Sequence, residues 1–104
     1  MYGVVFVTVK DTHQAKRIAK ELLKEKLIAC ATMIKNVESF FWWQGKVDAA
    51  REVQLILKTK KSCFTKLAKK IKLLHSYDVP EIIFLPIQKG HKAYLNWIDK
   101  TIGL

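Results

Sequence analysis

An α+β fold, one antiparallel sheet with helices packed on one face, is predicted by three observations. Apolar, β-branched runs alternate twice with segments of helical period. A Gln-Gly pair joins two long extended segments into a central hairpin. Pro80 closes the second helical segment just ahead of a last apolar run.

Residues 4–9 form an apolar run rich in valine, the pattern of a buried central strand. Asp11 and Thr12 then offer oxygens to cap a helix. Ala15, Ile18, Ala19, Leu22 and Leu23 share one helical face, with Lys16, Lys20 and Lys24 opposite; the helix ends near Lys26. Residues 27–43 read as extended, with an interruption of the apolar pattern at residues 35–38. Trp43-Gln44-Gly45-Lys46 reads as a hairpin turn. A returning strand is weak over residues 48–51 and strong over residues 53–59. Ser62 is placed to cap a second helix carrying Phe64, Leu67, Ala68, Ile71 and Leu74, and residues 81–87 form the last strand. Gly90 precedes a terminal helix with Tyr94, Trp97, Ile98 and Ile102 on one side. The order βαββαβ plus a C-terminal helix is the ferredoxin-like plan, expected as one domain over residues 1–104.

The hairpin is too long for that domain. Residues 27–43 reach roughly 55 Å at about 3.3 Å per residue, whereas helices of about 15 residues cover some 20–25 Å of sheet. Its outer half must overhang, and the overhang ends in Phe40, Phe41, Trp42 and Trp43. Exposed rings and unpaired strand edges invite uncontrolled pairing, and closed symmetric association is the usual remedy. A homo-oligomer is therefore expected, with the four aromatics at the subunit interface.

Composition narrows the function classes. The longest apolar run falls far short of the roughly 20 residues of a membrane span, and the N-terminus lacks the pattern of a signal peptide. Cys30 and Cys63 make no repeated spacing, so reduced thiols and a cytoplasmic location are expected. Net charge is +10, and no acid lies between Glu52 and Asp78 while seven lysines do. That stretch is read either as a solvated helix face or as a surface for an anionic partner. There is no nucleophile elbow, P-loop, Gly-rich dinucleotide turn or carboxylate pair, which argues against an enzyme. Glu52 and Lys58 are expected to form at most a structural ion pair.

Leu27-Ile28-Ala29-Cys30-Ala31-Thr32, Trp43-Gln44-Gly45-Lys46-Val47, Glu52 followed by Leu57-Lys58-Thr59, His75-Ser76-Tyr77-Asp78-Val79-Pro80-Glu81-Ile82-Ile83 and Tyr94-Leu95-Asn96-Trp97-Ile98 occur in this order along essentially the whole chain. In them the sequence resembles the CutA divalent-cation tolerance proteins. The resemblance implies a cytoplasmic homotrimer that binds copper or another divalent cation and acts in metal tolerance, without catalytic activity. The chain departs from the family where His75-Ser76-Tyr77 replaces His-Pro-Tyr. A first-strand thiol and a second histidine, proposed copper ligands in some members, align with Val7 and Leu74, leaving that pattern incomplete.

His75 is the one metal-ligand candidate, set against a role as helix cap or interface residue. His13 and His91 read as surface residues. Cys30, Tyr77 and Trp97 are placed at the oligomer interface, with Cys30 read as a buried thiol and Cys63 as the more reactive one. Two other functions share the element order. A PII-like signalling trimer would hold a small ligand between subunits, but it places a flexible loop where this chain has a hairpin. An RNA-recognition module needs aromatics on the central strands, and residues 51–57 have none, so no specific nucleic acid is expected.

Overall fold

Alternation along β1 (Tyr2–Val9) sends Val5, Val7 and Val9 to one side, fully buried, and Val4, Phe6 and Thr8 to the other. In the computed structural model, which describes residues 1–103, β1 is followed by α1 (Thr12–Lys24), β2 (Cys30–Trp43), β3 (Lys46–Lys60), α2 (Phe64–Leu74), β4 (Ile83–Pro86) and α3 (Lys92–Ile102). The four strands form one antiparallel sheet in the order β2-β3-β1-β4. This is the ferredoxin-like arrangement with a long β2–β3 hairpin.

Asp11 caps α1, its Oδ1 accepting from the Gln14 N–H at 2.8 Å. At the other end Lys26 adopts φ 56°, and the amides of Lys26 and Leu27 donate to the carbonyls of Leu23 and Leu22. These paired bonds close the last turn, in a conformation usually left to glycine, and drop Leu27 into the core. The second helix starts differently from the reading above. One 3-10 turn over Lys61–Cys63 precedes it, and no side chain, Ser62 included, bonds its first amides. The last strand is also shorter than expected, because the chain at residues 75–82 wraps across the sheet end before pairing begins.

Both long helices pack on the face of Val5, Val7 and Val9. Ala15, Ile18 and Leu22 from α1 and Leu67 and Ile71 from α2 meet Val53, Leu55 and Leu57 of β3 there. At about 1.5–3 kcal/mol for each large side chain fully buried, this layer is the main source of stability. Gly3 lies on the same face under the Phe84 ring, which a Cβ at that position would overlap. Phe84 in turn meets Phe64 edge-on, with centroids 6.0 Å apart. Thr59, fully buried, donates to the Leu27 carbonyl at 2.6 Å and pins the start of the hairpin.

Among the described residues the opposite face is covered only at one corner. There α3 sets Ile98 and Ile102 against Ala29 and Tyr2. Asp99 accepts from the Tyr2 hydroxyl and pairs with Lys60 at 3.0 Å. Elsewhere Val4, Phe6, Ile34, Ile56, Ile83 and Leu85 lie half-buried or exposed on one continuous surface.

β1 pairs with β3 only as far as Val9 opposite Val53. Beyond it, residues 37–43 and 46–52 pair with each other alone, making an arm of roughly 20 Å. Its base is a β-bulge. Between Ile34 opposite Gln54 and Val37 opposite Glu52, β2 carries one extra residue, with Asn36 at φ 58°. The break in the apolar pattern at residues 35–38 is this bulge. At the tip, Gln44 (φ 51°) and Gly45 (φ 77°) form a two-residue turn of the type that matches strand twist.

Candidate functional site at the base of the arm

The chain leaves α2 through His75, whose side chain turns back beneath the sheet end. Its Nδ1 accepts from the Tyr77 N–H at 3.1 Å, so the proton sits on Nε2, which donates to the Thr8 carbonyl at 2.7 Å. Both nitrogens are engaged, and only 9% of the residue is exposed. This ties the end of α2 to the end of β1. Ser76 adds a bond to Gln14 at 3.3 Å, joining the same turn to the start of α1.

Two residues on, the Tyr77 hydroxyl donates to Glu52 Oε2 at 2.6 Å. Glu52 is the first β3 residue beyond the body and lies opposite Val37 just past the bulge, 7% exposed. An apolar residue is the ordinary choice for so buried a position, and the phenol supplies the bond that a buried carboxylate requires. Burial, the bond to Glu52 and the negative charges of Glu52 and Asp11 together push the Tyr77 phenol up to about 12. Burial, then the charge of Glu52, also raises the Glu81 carboxyl above its ordinary value. Asp11, Glu52 and Glu81 thus make a negative spot at the arm base of a chain whose net charge is +10.

The sequence-predicted residues fall into three places. His75 and Tyr77 are together, with rings 4.7 Å apart. Cys30, Tyr94 and Trp97 form a second group at the opposite end of the sheet. There the Cys30 Sγ lies 3.5 Å from the Tyr94 hydroxyl, and the Tyr94 and Trp97 rings are 5.5 Å apart. The Tyr94 phenol is pushed up to about 12, first by the bond to Cys30 and then by burial. Cys30 is half-buried and not fully enclosed, because β2 is an edge strand there. The four aromatics make the third place. Phe40 and Trp42 share one face of the arm, 71% and 75% exposed, and Phe41 and Trp43 take the other.

One pairing inferred from the sequence is not formed. Glu52 and Lys58 lie six residues apart on one straight strand, about 20 Å, and Glu52 bonds Tyr77 instead. That bond spans 25 residues, and the only sequence signal for it was an acid interrupting the returning strand.

Among the described residues no three His, Cys, Asp or Glu side chains converge as a metal site. With both His75 nitrogens already bonded, the donors of one chain do not fit a resident metal ion. Nor does the uncovered face suit base stacking, since β3 offers Gln54, Ile56 and Lys58 there and Phe6 of β1 has no second ring beside it on the central strands. No helix is long and apolar enough to cross a membrane among the described residues.

Comparison with known proteins gives a consistent result. The family model of the CutA1 divalent ion tolerance protein matches residues 3–101. The chain is 41% identical over 102 residues to the divalent-cation tolerance protein CutA of Archaeoglobus fulgidus, covering 98% of this chain and 99% of that one. A solved structure described as the periplasmic CutA of that organism superposes with a TM-score of 0.96, over 99% of this chain and 100% of that one. The Thermus thermophilus CutA is 41% identical over 99% of this chain and all of its own length, and its solved structure also gives a TM-score of 0.96. The chloroplastic CutA 1 of Oryza sativa is 44% identical over 98 residues, 94% of this chain and 55% of that longer protein.

Proposed function

The chain belongs to the CutA1 divalent ion tolerance protein family, and from that premise we propose that it is a non-catalytic homotrimer that binds copper or another divalent cation in metal tolerance. The family match over nearly the whole chain carries the reading. The assembly half draws support from the arm and from the uncovered apolar surface of the sheet, two adjoining surfaces that one chain leaves open. Phe40, Phe41, Trp42 and Trp43, with Cys30, Tyr77 and Trp97, form the subunit contacts in this reading. A PII-like role draws on the same element order, but residues 37–52 form a paired hairpin in place of a flexible loop.

The cation half is placed at the arm base. Binding there is weak, because His75 must exchange its Thr8 bond for the metal and further ligands must come from a neighbouring subunit. Negative charge from Glu52, Glu81 and Asp11 favours a cation at that spot. The protein acts in the cytoplasm in this reading, although relatives carry periplasmic and chloroplastic descriptions. Calorimetric titration with Cu(II) and with Zn(II) tests it. Stoichiometric heat that His75→Ala abolishes supports the site. Copper binding indifferent to His75 removes the site, and no copper binding at all removes the metal half.

A further inference from the structure

The chain's charge is concentrated on one layer. Residues 12–26 and 61–74, the two long helices with their flanks, hold ten Lys and Arg against two Glu, which is +8 of the total +10. The sheet, its loops and α3 are close to neutral by comparison. Both acids of the layer, Glu21 and Glu25, are already taken up by Lys70, at 3.9 and 2.7 Å. Lys16, Lys20 and Lys24 form one exposed stripe along α1, and Lys66, Lys69 and Lys72 lie along α2. None of these six has an ion-pair partner among the described residues.

We propose that this helix layer is a docking surface for inorganic polyphosphate, a linear chain of phosphate anions. Charge complementarity selects a polyanion, and the chemistry of the surface selects this one. The cations are lysines with one arginine, Arg17, so they act as point charges with little planar, bidentate recognition. His13 is the one exposed ring on either helix, too little to stack successive bases, and the one amide side chain in the layer, Gln14, is buried. Two helices side by side present ridges, which a flexible chain follows and a stiff duplex or flat bilayer touches only along the crests. Insertion into a bilayer needs a broad apolar face, whereas Leu23 and Leu73 are the exposed large apolar side chains here. The surface lies opposite the uncovered sheet face, so self-association through that face leaves it open. It stands whether or not the protein binds a metal.

The test is calorimetric titration of the full chain with long-chain inorganic polyphosphate. Parallel titrations use random-sequence duplex DNA and phosphatidylglycerol vesicles at equal phosphate concentration. Two triple variants of equal net charge are compared, K66Q/K69Q/K72Q on the layer and K10Q/K89Q/K92Q away from it. Glutamine is a good helix former, and thermal melts confirm that both variants fold. The expected result is polyphosphate binding that weakens steeply with salt, about tenfold or more weaker in the layer variant and within about threefold of wild type in the other. Absence of binding near physiological salt, equal losses in the two variants, or tighter binding of DNA or vesicles overturns the proposal.

Discussion

The inner and outer halves of the central hairpin are built from the same two strands and have opposite energetics. In the inner half, β3 has β1 on its other side and both long helices above it, and Val53, Leu55 and Leu57 are almost wholly enclosed. In the outer half, seven residues of each strand pair only with one another, with Glu52 at the base tied to Tyr77, and the largest side chains face water. An isolated two-stranded ribbon is marginally stable at best. In the inner half β3 is paired on both sides, whereas each strand of the outer half keeps an unpaired edge. The halves therefore differ in pairing as well as burial, and in the proposed assembly other copies of the chain supply what the outer half lacks. Between the halves sit the bulge at Asn36 and the His75, Tyr77 and Glu52 bonds, which fix the direction in which the arm leaves.

The largest effect that would break this contrast is on assembly. Replacing Phe40 and Trp42 together by serine removes about 3–6 kcal/mol of potential burial from every arm. The expected outcome is dissociation in analytical ultracentrifugation with the body's circular dichroism kept. Retained assembly would show that the rings serve something else.

Next comes the inner half. Leu57→Ala opens a cavity under both helices and should cost about 2–5 kcal/mol in urea unfolding. Val47→Ala in the arm, measured on the dissociated chain, should cost less than about 0.5 kcal/mol. Similar costs would erase the distinction between the halves.

Much of this division was legible in the sequence, because period-2 and helical patterns fix the element order and the strand lengths exceed what two helices cover. The bulge was visible only as a gap around Lys35 and Asn36, since a polar pair reads the same in a bulge, a loop or an edge. The bond from Tyr77 to Glu52 was out of reach, because it joins distant segments through the fold alone. Likewise, Ser62 is a good capping residue by type, but it lies inside the 3-10 turn, where Cys63 takes the cap position and no side chain caps the helix.

The boundary between the halves gives a smaller effect. Tyr77→Phe leaves buried Glu52 without its donor and should cost about 1–3 kcal/mol. Its pH dependence is specific. The phenol's folded value lies above the unfolded one, near 10, so its contribution is complete below pH 10 and is lost as pH rises toward about 12. Wild type should therefore lose stability across that window, and the variant should lose less, with Tyr94 and Tyr2, both also raised, contributing to the remainder. An unchanged alkaline profile would mean that Tyr77 is not held by Glu52 in solution.

The smallest effects come from two strained residues, one in each region. Gln44→Gly in the arm tip and Lys26→Gly after α1 each relieve a left-handed backbone and should gain up to about 1 kcal/mol. The gain at Lys26 should appear in urea unfolding of the body. That at Gln44 should appear only while the assembly holds the arm, and equal visibility in the dissociated chain would mean that the arm folds by itself.

Native mass spectrometry of the purified protein tests most directly the claim that the arm is stabilised by neighbouring copies. One chain is 12.0 kDa, and the predicted species is a trimer of about 36 kDa, persisting on dilution. A stable, soluble 12.0 kDa monomer with its arm intact would contradict it.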